Sequence, residues 1–291
     1  MEGSEPQALM TRETRVAFGP VPHILAGRDA AEQSWLLDGD QFLLRAGGDH
    51  YFHYGRGRGV TIERGTGAEP DTESLWLAGS VHAAIACLNG LVPVHASAVE
   101  HGNRVHAFLG ASGTGKSTLV AALGQYGLPM FCDDTLVLDP AGHGAVDCLP
   151  GHKRLKLAED ALALSGALRR EAVGGGAGKF YADPPAGCCD RVLPLARLVM
   201  LAEGADFVIE PVNGAARVWH LLGDHYTVDM LSAALGRNAV ALFQTMAALA
   251  RRVDMVRFVR PRDSGLFDEG VRLVADWITG AGDGRAADAH D

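Results

Sequence analysis

With 291 residues, 47% of them apolar, the chain is long enough to bury a substantial core in one large domain or two modest ones. A formal charge of -9 and a pI near 5.7 exclude binding modes built on excess positive charge, so neither nucleic acid nor an anionic membrane surface is an expected partner. No run of about 18 uncharged apolar residues appears, and MEGSEPQALMTRETR lacks the apolar segment of a secretory signal, so the expected location is the cytoplasm.

Taken in chain order, the first dozen residues are polar and read as loose. WLLDGDQFLLRAGGDHYFHYGRGRGVTIER follows as short apolar runs cut by glycine turns, the pattern of a β-meander. In HYFHY, His50 and His53 face opposite sides of a regular strand, so core and turn residues are expected there rather than metal ligands. From Thr72 to Asn89 apolar residues recur at helical spacing behind an Asp71 or Thr72 cap, and a subdomain junction is expected near Gly90. VPVHASAVE and RVHAFL read as two strands joined by the turn His101-Gly102-Asn103. FCDDTLVLD, RLVMLAEG and DFVIEPV supply further strands, with helices over Lys116 to Gly124, about Asp229 to Arg252, and Leu266 to Ile278. GGGAGK, Gly174 to Lys179, is a flexible break, and residues 281–291 form a disordered tail. The fold class is α/β around a central sheet, with a β-rich N-terminal subdomain and linking helix over 1–90 and the main domain over 91–280. Five cysteines is an odd number; Cys87, Cys132 and Cys148 sit in apolar surroundings as reduced thiols, and Cys188-Cys189 lacks the spacing of zinc ligands.

Between strand-like VHAFL and helix-like LVAAL stands GASGTGKST, which satisfies G-x-x-x-x-G-K-S/T through Gly110, Gly115, Lys116 and Ser117. Small residues let consecutive backbone N–H groups curl around phosphate oxygens, and the helix start adds its positive dipole end. Gly110, Ala111, Ser112, Gly113, Thr114, Gly115, Lys116, Ser117 and Thr118 are therefore expected to contact ATP, with Lys116 on the β and γ phosphates and the Ser117 hydroxyl on Mg²⁺.

Asp133 and Asp134 end the apolar stretch LPMFCDD. Two adjacent carboxylates at the end of a core strand repel each other unless a cation or a shared proton compensates, as Mg²⁺ beside a nucleotide would. One is expected on the metal and the other on an acceptor hydroxyl, because successive strand side chains face opposite ways. His95 stands in VPVHASAV, on the strand paired before the loop-bearing one, where a histidine serves as a core residue or as part of a site.

The series VHASAV, GASGTGKST and CDD resembles the catalytic domain of HPr kinase/phosphorylase and its smaller relatives, among them the HPr-kinase-like enzymes of lasso-peptide and other ribosomal-peptide (RiPP) gene clusters. The resemblance implies a phosphotransfer site of His95, Lys116, Ser117, Asp133 and Asp134, in which one aspartate is general base on an acceptor serine hydroxyl. It implies a P-loop serine kinase using ATP and Mg²⁺, with Ser117, Asp133 and Asp134 at the metal. The substrate would be a peptide or small protein, for instance a lasso or RiPP precursor, and self-association of the enzyme is left open. The glycine-rich, glutamate-containing signature that full HPr kinases place after the aspartates is not visible, which puts phosphorylase activity and HPr itself in doubt. In its place stand Lys153, Arg154 and Lys156, which either hold nucleotide or the transferred phosphoryl, Arg154 through its planar guanidinium, or form a solvated strand face. Lys179 is either a lid residue or a surface lysine. A regulatory nucleotide-binding module is the alternative, although no LSGGQ-like signature accompanies the loop; a small-molecule kinase would use the same site.

Overall fold

The computed structural model describes residues 5–47, 49–65, 70–142, 144–151, 153–173, 178–223 and 225–281; most of the expected glycine-rich break, residues 174–177, and nearly all of the expected tail lie outside them. The fold is mixed α/β with several sheets. The loop-bearing strand Arg104–Leu109 lies between its antiparallel neighbour Ala96–His101 and the parallel strand Leu193–Glu203. The latter pairs in parallel with Asp254–Arg260, which carries the edge strand Val208–Pro211. Met130–Cys132 forms the opposite edge, against Ala96–His101. The start of Leu193–Glu203 is held by Asp147–Leu149, which continues through Leu136–Asp139 to Val92–Val94.

Alternation along the strands divides the core into layers. Val105, Ala107 and Leu109 point to one apolar cluster while Phe108 points to the other, beneath helices Lys116–Leu123 and Phe267–Thr279. Each such fully buried large side chain contributes roughly 1.5–3 kcal/mol. Val271, Val274 and Ile278, expected as a packing stripe, lie in that second cluster, with Phe267 against it.

The meander is present as Trp35–Asp38, Gln41–Ala46, His50–Gly55 and Gly59–Glu63, extended by the edge strand Val16–Phe18. Phe42, Leu44, Phe52 and Tyr54 share one apolar cluster with Val92, Ala98 and Met255, so a boundary at Gly90 does not separate two cores. His50 is buried beside Glu73, and His53 Nε2 meets Gln41 Oε1 at 3.0 Å, as expected of core and turn residues.

Three expectations are corrected. Of the first dozen residues, those described are not loose: Glu5–Glu13 is helical, with Met10 buried and Glu13 accepting hydrogen bonds from Tyr54 Oη (2.8 Å) and Gly57 N (2.7 Å). The span from Asp229 to Arg252 is two helices, His225–Ala234 and Ala239–Arg252, parted where the Asn238 side chain caps the second by accepting from Val240 and Ala241 N–H. The linking helix starts at Pro70, ahead of either expected cap, and passes through a π-helical turn, Leu77–Val81, before continuing as His82–Leu88. Proline suits a first helical position because its missing N–H has no partner to lose there.

All five cysteines are free thiols, Cys188 exposed and the rest buried. Among the described residues no helix is long and apolar enough to cross a membrane.

Candidate active site at the glycine loop

Expected as one strand, VPVHASAVE is two. Val92–Val94 pairs with Leu136–Asp139, Val94 opposite Leu136, whereas Ala96–His101 pairs with Met130–Cys132, Ala98 opposite Cys132. Both chain segments cross between the two arms of the nine-stranded sheet at the same level, and this puts His95 and the Asp133-Asp134 pair together, outside either ladder. His95 is therefore in a strand break and not on a strand. Asp134 takes φ 77°, a left-handed conformation that costs roughly 1 kcal/mol or more outside glycine and is common where geometry serves a site.

The aspartates face different partners because the chain bends between them. Asp133 is almost fully buried, and its Oδ1 accepts from Ser117 Oγ at 2.8 Å and Ser97 Oγ at 2.6 Å. Asp134 is partly exposed and is held by Lys156 Nζ at 2.8 Å from Oδ2. His95 Nδ1 lies 2.9 Å from the Asp134 carbonyl oxygen and 3.3 Å from its Oδ1, so Nδ1 carries the hydrogen. Burial works against the Asp134 charge, but the His95 hydrogen bond and the Lys156 ammonium outweigh it and hold the carboxyl well below the usual range. The Tyr226 ring meets His95 edge-on at 5.6 Å, and its hydroxyl reaches Thr135 Oγ1 at 2.8 Å. The linking helix closes in as well: a Cβ at Gly79, inside the π-turn, would lie 3.4 Å from Asp134 Oδ2.

Gly110 to Thr118 joins the strand Arg104–Leu109 to the helix Lys116–Leu123. Gly110 has φ 153°, and a Cβ there would meet Thr114 Oγ1 at 2.9 Å; Gly115 has φ 81°, and a Cβ there would meet Arg260 Nη2 at 2.8 Å. Only glycine fits both places. Arg260 Nη2 donates to the Thr114 carbonyl at 2.6 Å and so ties the loop to the end of the strand Asp254–Arg260. Lys116 Nζ bends back onto the Gly110 carbonyl at 2.8 Å. A cavity of about 380 Å³ opens at the carboxyl ends of the parallel strands, lined by Gly113, Gly115, Thr118, Phe207, Arg260 and Phe267 among others. Neither Asp133 nor Asp134 lines it; the loop segment reaches the cavity through Gly113, Thr114, Gly115 and Thr118 and the acid pair through Ser117.

The basic cluster divides into three fates. Lys153 Nζ donates to the carbonyls of Phe131 and Cys189, joining chain segments in the interior, and burial pushes its pKa down. Arg154 pairs with Glu171 and lies 3.8 Å over the Tyr181 ring, so its described contacts are with the small sheet and not with the glycine loop. Lys156 alone of the three meets the aspartates. Lys179 opens the strand Lys179–Asp183 opposite Ala158.

The structure thus gathers His95, Ser117, Asp133 and Asp134, with Lys116 beside Ser117. Sequence reasoning passed over Ser97, although period-two alternation puts it on the face of Val99, toward helix Lys116–Leu123. It also passed over Arg260, whose signal was a cation at the carboxyl end of an apolar strand. The oxygen-only set of Asp133 and Ser117 fits a hard divalent cation such as Mg²⁺. Among the described residues no group of three or more His, Cys, Asp or Glu side chains could enclose a metal, so further oxygens would come from phosphates and water.

No family model and no curated protein matches the chain. Among solved structures, the Hpr(Ser) kinase/phosphatase from Coxiella burnetii is similar at 13% identity and a TM-score of 0.31, over 62% of this chain and 95% of that one. So distant a likeness leaves function to be read from the geometry of the site itself.

Proposed function

We propose that the chain is an ATP-dependent kinase that transfers the γ-phosphoryl group to a serine hydroxyl of a peptide or small protein, such as a lasso or RiPP precursor. The observation that carries this reading is the 2.8 Å contact between the Ser117 hydroxyl, at the start of the loop helix, and Asp133, with Asp134 next in the chain. A regulatory nucleotide switch needs the loop and one carboxylate; a second carboxylate, partly exposed and oriented by a histidine, suits the handling of an acceptor.

In this reading the amides of Gly110 to Ser117 bind phosphate oxygens, and Lys116 exchanges its carbonyl partner for them. Ser117 and Asp133 hold Mg²⁺, with Ser97 fixing the carboxylate. Bound Mg²⁺-ATP supplies a phosphoryl group whose charge is already partly neutralised. Asp134, oriented by His95, accepts the proton of the serine hydroxyl as bonding to phosphorus makes that proton acidic, since a carboxyl held this low is a weak base toward the free alcohol. The neighbouring cavity takes the nucleoside, and the acceptor approaches past the linking helix.

Incubation with γ-labelled ATP and serine peptides, first among them any short peptide encoded beside this chain, tests the proposal. Phosphoserine that is lost in Asp134→Asn is the expected product. Label released only as inorganic phosphate would favour the switch, and label on a metabolite the small-molecule kinase.

A further inference from the structure

Lys156 is not required by the sequence motif, yet it touches both aspartates. Its strand, Leu155–Ala158, pairs with Lys179–Asp183, and alternation sends Leu155 and Leu157 into the core beneath helix Lys116–Leu123. The backbone is thereby fixed, and Lys156 faces the other way. Its own N–H lies 3.4 Å from Asp133 Oδ2, its Nζ lies 2.8 Å from Asp134 Oδ2, and its side chain is 14% exposed. In order of contact the site runs Lys116, Ser117, Asp133, Asp134, Lys156, with a lysine at each end.

Two carboxylates beside a triphosphate repel it, and Lys116, from the loop, meets the phosphates on the nucleotide side. Charge on the acceptor side needs its own cation, because the transition state spreads negative charge over three equatorial oxygens. Among the described residues, Asp134 is also faced by His95, which donates to it through Nδ1, by the adjacent carboxylate of Asp133, and by Gly79 of the π-turn, which offers no side chain. Lysine suits the place better than arginine as a bridge, since an ammonium has three donors on a flexible stem and can keep one partner while taking another.

Resting on the kinase reading above, we propose that Lys156 is a second phosphoryl-binding cation, which keeps one N–H on Asp134 and gives another to an oxygen of the phosphoryl group in transfer. In that step the serine O–H proton passes to Asp134, and the serine oxygen bonds to the γ-phosphorus of the nucleoside triphosphate. The bond from that phosphorus to the β–γ bridging oxygen breaks, and its electron pair leaves with the diphosphate. Lys156 keeps its protons throughout.

The test compares Lys156→Gln with wild type by calorimetric titration of Mg²⁺-ADP alone and with aluminium fluoride, which mimics the phosphoryl group in transfer. Affinity for Mg²⁺-ADP should stay within about twofold, while affinity for the fluoride complex falls at least about tenfold and turnover falls roughly 10²–10³-fold. Lys156→Arg should recover part of the fluoride affinity. Equal affinity of Lys156→Gln and wild type for the fluoride complex would overturn the assignment. A wild-type chain that binds neither complex would overturn the kinase reading itself, and the assignment with it. Should Lys156→Gln fail to fold, a crystal structure of the wild-type fluoride complex decides: Nζ within about 3.2 Å of a fluoride supports the bridge, and Nζ on Asp134 alone refutes it.

Discussion

Replacing Asp133 by asparagine removes a charge and leaves the shape. Both hydroxyl donors, Ser97 Oγ at 2.6 Å and Ser117 Oγ at 2.8 Å, end on the same oxygen, Oδ1, and an asparagine carbonyl in that place has lone pairs for both. Each bond passes from charge-assisted, roughly 1.5–3 kcal/mol, to neutral, roughly 0.5–1.5 kcal/mol, a loss of about 1 kcal/mol apiece. The new amide replaces Oδ2 near the Lys156 N–H, 3.4 Å away, where donor meets donor. Against these losses, a carboxylate that is 1% exposed no longer has to be desolvated, which relieves a cost of comparable or greater size. The net change in stability should stay within about 1–2 kcal/mol, while on the proposed function loss of a charge that would hold the metal should lower turnover roughly 10²–10³-fold or more. Thermal denaturation beside transfer of label from γ-labelled ATP measures both. A variant that keeps more than about a tenth of wild-type turnover, or one that unfolds outright, would refute the assignment of Asp133 as a charge spent on function.

Ser97→Ala removes one donor from the buried Asp133 and should cost about 1.5–3 kcal/mol in urea unfolding; an unchanged midpoint would contradict the contact. Gly115→Ala forces a side chain into φ 81° and against Arg260 Nη2, so it should weaken binding of a fluorescent ATP analogue at least about tenfold and lower stability by roughly 1–2 kcal/mol or more. Undiminished nucleotide binding would mean that the loop does not use this conformation. His106, on the loop-bearing strand, is pushed down from 6.5 to about 4 by burial and then by the Arg197 charge. Its unfolded form takes a proton that the folded form refuses, so stability should fall as pH drops from about 6.5 to about 4 and flatten below, by at most roughly 3 kcal/mol. His106→Val should flatten the pH profile in that window; an unaltered slope would place the titration elsewhere.

The glycine loop, its following helix, the meander and the α/β class were legible because each is written in local chemistry: small residues, period-two alternation, periodic apolar positions. Local chemistry also misled. The helix Glu5–Glu13 carries no strong apolar stripe and is tied down by Tyr54 and Gly57, more than forty residues away, which donate to Glu13. The break at Gly236-Arg237-Asn238 lies between two apolar runs that read as one helix, and the expectation of a single helix from Asp229 to Arg252 passed over it.

By itself, the sequence determined which chemical groups the chain possesses and that a strand would deliver a glycine-rich loop to a helix start. Only the tertiary structure decided which groups meet. His95 joins Asp134 because two chain segments cross between the two arms of the nine-stranded sheet at one level, Lys156 and not Arg154 reaches the aspartates because Arg154, on the same side of the chain, is drawn off by Glu171 and the Tyr181 ring, and Ser97 reaches Asp133 from a different strand. Such contacts span tens of residues, and their geometry follows from sheet register and packing, which no local pattern of residues encodes.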